Sequence, residues 1–127
     1  MNRSIVLARI AALAFFFTAA LHTSAYRDVT ALAKSGPPEL HPVVPMLWLG
    51  FSLALIIVGL IIFANAKASP TNHRMMTLVF SGLFAFGCAL LQLIYFGFIP
   101  PVAILCVDGA LTIAAALLVP SQPSTAG

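Results

Sequence analysis

Asp108 has the most chemistry to offer, because of where it lies. It interrupts Pro100–Pro120 (PPVAILCVDGALTIAAALLVP), a run that is otherwise almost wholly apolar. At ~1.5 Å per residue, that run is long enough to cross a hydrocarbon core of ~30 Å. A charged side chain at such depth costs ~2.5–3.5 kcal/mol on insertion scales. An acid there therefore faces the protein interior, pairs with another group, or holds its proton. A carboxyl so placed can act as a general acid or base. His22, the histidine that falls inside an apolar run, is the natural second proton-transfer group.

Other polar groups recur at helical spacing. Thr18, His22 and Tyr26 are four residues apart and share one stripe, Cys88, Gln92 and Tyr95 follow an i, i+4, i+7 pattern, and Asp108 and Thr112 are i, i+4. Lipid offers no hydrogen-bond partner, so these stripes are expected to turn inward together. In that arrangement Tyr26, Gln92 and Tyr95 orient a ligand, while Glu39 and His41 overlie the site from a connecting segment. A plainer reading makes Asp108 a buried acid bonded to Gln92 or Tyr95, locking two helices. Tyr26, Tyr95 and Trp48 also fit an aromatic belt at the membrane interface, and Trp48 is assigned to it. Glu39, His41 and His22 have metal-donor chemistry but no ligand-type spacing, so neither a metal nor a cofactor is expected. Cys88 and Cys106 lie in apolar runs without a CxxC pair and read as packing residues.

The elements that must position these groups follow from composition. Of 127 residues, 61% are hydrophobic and 7% charged, whereas soluble domains carry roughly 25% charged residues. The pattern predicts an all-α integral membrane protein, a single membrane domain built as a four-transmembrane-helix antiparallel bundle. The first span covers about 5–26. It is longer than the 7–15 residues of a signal-peptide core and is interrupted by Arg9, so it reads as retained. An outer loop, 27–42, can form a short interfacial helix over 27–34 before Ser35-Gly36-Pro37-Pro38 stops it. The second span is about 43–66, the inner loop 67–74 and the third span about 75–98. The fourth, about 100–120, follows a tight turn with proline in its first helical positions. A disordered tail is expected over 121–127.

Basic residues near the span ends set the orientation. Arg3, Arg9, Lys67 and Arg74 fall on one side, against Arg27 and Lys34 on the other. This favours both termini in the cytoplasm of an inner-membrane protein, with the polar cluster in the outer half. Six basic and three acidic residues make no nucleic-acid surface. The expected partners are membrane lipids and a lipophilic small molecule, with a homodimer or a larger membrane complex as the possible assembly. The leading functional expectation is binding of, or action on, a lipid, isoprenoid or sterol-like molecule, with acid–base chemistry at Asp108 and His22. Two alternatives stand beside it. One is an accessory or assembly subunit whose polar cluster cements the fold. The other is a small proton-coupled transporter, disfavoured because the inner half lacks a polar lining.

Overall fold

A computed structural model describes residues 2–68 and 71–120. The expected tail, 121–127, and residues 69–70 of the expected inner loop lie outside the described residues. The described residues are helical, without strands: α1 (Arg3–Ser24), α2 (Tyr26–Lys34), α3 (Leu40–Ala68), α4 (Thr71–Phe96) and α5 (Pro100–Leu117). Four helical stretches are long and apolar enough to cross a membrane, the first being α1 continued by α2.

The packing is ordered by residue size more than by polarity, because these helices are apolar all round. On α1, Ser4, Ala8, Ala11, Ala12, Phe15, Thr18 and Ala19 are buried, a stripe at three- and four-residue spacing. Small side chains on such a stripe let backbones approach closely. The α1 stripe packs on α3 and on α5, and α5 packs on α4. Around the bundle the order is therefore α3, α1, α5, α4, and the closing seam between α3 and α4 is the thinnest of the four.

Local sequence explains the joints. Thr23 and Ser24 donate their hydroxyls back to the Ala19 and Leu21 carbonyls (2.8 and 2.7 Å). Such bonds compete with the helical ladder and bend it, and Ala25 leaves α geometry (φ −80°, ψ 0°) between α1 and α2. α2 is the short helix expected over 27–34, one residue longer at its start. It ends where Ser35 and Gly36 turn back onto the Leu32 and Ala33 carbonyls. α3 begins at Leu40, ahead of the apolar run, and carries Pro45 inside it. At the far end, buried Arg74 reaches back from α4 to the Ala66 carbonyl (3.2 Å), closing the last turn of α3. The α4–α5 turn depends on Gly97, whose φ of +74° a side chain rarely adopts. Its N–H caps α4 at the Leu93 carbonyl (3.0 Å), and Pro100 then opens α5.

Gly82 allows the closest approach in the α4–α5 pair. A Cβ there would stand 2.7 Å from Ile113 Cδ1 and 3.3 Å from the Gly109 carbonyl oxygen. Gly82→Leu is expected to cost about 1–3 kcal/mol or more through overpacking, read as a lowered unfolding midpoint in detergent. An unchanged midpoint would mean that α4 and α5 are not packed through this face.

Candidate functional site

The polar side chains gather toward the end of the bundle where α1 meets α2, but in two groups rather than one. The first joins α1 to α5. Thr18 Oγ1 lies 2.7 Å from Asp108 Oδ2 and 3.0 Å from the Ala14 carbonyl oxygen, while Thr112 donates to the Asp108 carbonyl (2.6 Å). Asp108 is 1% exposed and Thr18 7%. The Asp108 carboxyl thus bonds to Thr18 on α1, not to Gln92 or Tyr95. A hydroxyl has one proton, so Thr18 serves both oxygens fully only if the group at position 108 donates in return. A carboxyl holding its proton, or an amide in its place, completes the chain.

The second group joins α1 to α3. His22 Nδ1 shares a hydrogen bond with Ser52 Oγ (2.9 Å), and Trp48 donates its indole N–H to the His22 carbonyl (2.6 Å). The imidazole stacks on the Trp48 ring at 3.8 Å between centroids and 15° between planes, with Phe51 edge-on at 4.9 Å. One ring nitrogen, the backbone carbonyl and one ring face of His22 are therefore fixed. Nε2 takes no part in these bonds.

Between the two groups is a cavity of about 130 Å³, lined among others by Thr18, His22, Trp48, Phe51, Gln92 and Leu105. Its walls are mostly apolar; Gln92 is among the lining residues, and its Oε1 is buried behind that surface without a hydrogen-bond partner, so that a turn of the amide would be needed to present it to the cavity. A buried polar atom left unpaired costs about 1–3 kcal/mol. Asp108 is not among the lining residues; Thr18, its bonded neighbour, is. A groove of about 400 Å³ lies beside the cavity between α3 and α4, and His22, Trp48, Phe51 and Gln92 line both.

The expected site residues separate accordingly. His22 and Gln92 come together at the cavity, and Asp108 lies one hydroxyl away. Tyr95 is 77% exposed and lies apart. On α4 the groove follows Cys88, Gln92 and Phe96, so it lies on the Phe96 side of the stripe rather than the Tyr95 side. Tyr26 belongs to α2, beyond the break at Ala25. Glu39 is exposed in the connection, and His41 Nε2 bonds the Gly36 carbonyl (3.1 Å), tying that connection to itself. Among the described residues no three histidine, cysteine or acidic side chains form a group able to hold a metal. Trp48 and Ser52 are contributions from α3 that the site reading omitted. Their i, i+4 spacing was the available signal, and Phe51 lies on the same face.

Comparison with protein-family models, curated proteins and solved structures yields no match. The fold and the site therefore define the class by themselves: among the described residues, an all-helical bundle with four helical stretches of membrane-spanning length and hydropathy, and an apolar cavity with Gln92 and His22 among its lining residues.

Proposed function

We propose that this chain is an integral membrane protein that binds a lipophilic small molecule, with its polar end between His22 and Gln92. The observation that carries the reading is an apolar cavity with His22 and Gln92 among its lining residues, Gln92 Oε1 being buried beside it without a hydrogen-bond partner. A bundle core built only to pack would fill that space or satisfy that atom. A ligand donor met by a turn of the Gln92 amide would remove the deficit, and its apolar body would fit the apolar lining. The balance of basic residues favours both termini in the cytoplasm, with the cavity in the outer half of an inner membrane. Asp108 acts through Thr18 as an interhelical lock, and nothing in a binding role requires its proton. An accessory subunit remains the competing reading, and it expects no ligand in the cavity.

Cys88 supplies the test, since it is a free thiol in the groove wall. In a Cys106→Ser background, n-decanol at saturation should slow Cys88 alkylation by a small maleimide. His22→Ala, which deletes one side of the polar site, should raise the decanol concentration that gives half of that protection about tenfold, the equivalent of ~1.4 kcal/mol. Alkylation indifferent to any lipophile would favour the accessory-subunit reading.

A further inference from the structure

We infer that the ligand's head is a single neutral ring bearing a carbonyl or hydroxyl, of the benzoquinone or phenol type, and that its alkyl tail lies in the groove between α3 and α4. The inference rests on the binding reading above and gives it a chemical class.

Size is the first argument. The cavity of about 130 Å³ is close to the ~150 Å³ apolar cavity that accepts benzene. It has room for one six-membered ring. Shape is the second. His22, Trp48 and Phe51, packed ring on ring, are among the lining residues, and rings prefer offset or edge-to-face neighbours with centroids 4.5–7 Å apart. Charge is the third. None of the residues lining the cavity or the groove is Asp, Glu, Lys or Arg. A carboxylate or phosphate head would lose its water there and gain no countercharge. A hydroxyl can donate to Gln92 Oε1, and a carbonyl can accept from the other end of the same amide or from a protonated His22 Nε2.

The tail follows from the seam. α3 and α4 touch least of the adjacent pairs, and the groove along them is walled by Val44, Leu47, Cys88, Leu91 and Phe96. A molecule entering sideways would place its ring past Trp48 and Gln92 and leave its chain in the groove, with no passage through water.

The sequence has one tryptophan, Trp48, and it lines both spaces. In detergent-solubilised full-length protein, decyl-1,4-benzoquinone should quench Trp48 emission saturably. 4-Decylphenol should compete for that quenching, and decanoate should not. Gln92→Leu should weaken quinone binding about tenfold, the loss of one hydrogen bond. Ala25→Leu fills the cavity without removing a polar group. It should abolish saturable quenching while decanol in the groove still protects Cys88. Displacement of the quinone by decanoate or decanol as readily as by decylphenol would overturn the ring-headed class and leave a general lipophile site. Absence of both saturable quenching and Cys88 protection by every probe would overturn this inference and the binding reading together.

Discussion

Asp108→Asn should leave the fold and ligand binding close to unchanged, whereas Asp108→Ala should destabilise the bundle by about 1–3 kcal/mol. The asymmetry comes from hydrogen-bond accounting at Thr18. Its hydroxyl proton is claimed by the Ala14 carbonyl at 3.0 Å and by Asp108 Oδ2 at 2.7 Å. An amide N–H at position 108 can donate to Thr18 Oγ1 and free that proton for Ala14. Alanine also frees that proton but donates nothing to Thr18 Oγ1, and at a site 1% exposed it leaves a void. An interhelical hydrogen bond inside a membrane averages only ~0.6 kcal/mol, so most of the alanine cost is lost packing. The unfolding midpoints of the three proteins in mixed micelles, measured beside their Trp48 quenching, decide the point. Asparagine as damaging as alanine would mean that a carboxylate, not a donor, is needed there. A folded Asp108→Asn protein that no longer binds would return Asp108 to the site, acting on the ligand through Thr18.

The architecture was legible because the spans are long and nearly free of charge, and because glycine and proline mark the turns at 35–38 and 97–101. Helix faces were harder to read. Hydropathy carries little rotational information when every face is apolar, and the signal lies in side-chain volume. On α1 the small residues Ser4, Ala8, Ala11, Ala12 and Ala19 mark the packed side, while Leu13 and Phe17 face outward at 59% and 62% exposure. Polar spacing located His22, Gln92 and Asp108 at one end of the bundle. It did not reveal that Thr18 and Leu105 separate the acid from the cavity, since such a partition depends on the angle at which α1 and α5 cross. Trp48 illustrates a different limit. Its position near a helix end suits an interfacial belt, and only the partner helix shows that its ring stacks on His22.

Gln92→Leu should stabilise the ligand-free protein by about 1–2 kcal/mol while weakening binding about tenfold. The two effects have one origin. In the free protein Oε1 is buried without a partner, so replacing the amide by an alkyl group of similar length removes a desolvation cost and adds apolar contact to Phe51, Leu105 and the other walls of the cavity. With ligand present, the same change deletes the atom that answers the ligand's polar group. A residue retained for packing alone would not show this opposition, because whatever relieved its deficit would improve the protein in every state. Opposed changes in stability and affinity are what a site kept ready for a ligand produces. The measurement is the unfolding midpoint of wild type and Gln92→Leu, each with and without decyl-1,4-benzoquinone. The expected pattern is a crossing: the variant higher without ligand, the wild type gaining more with it. A lower midpoint for the variant in both conditions would assign Gln92 to the fold and leave His22 as the remaining polar anchor of the cavity.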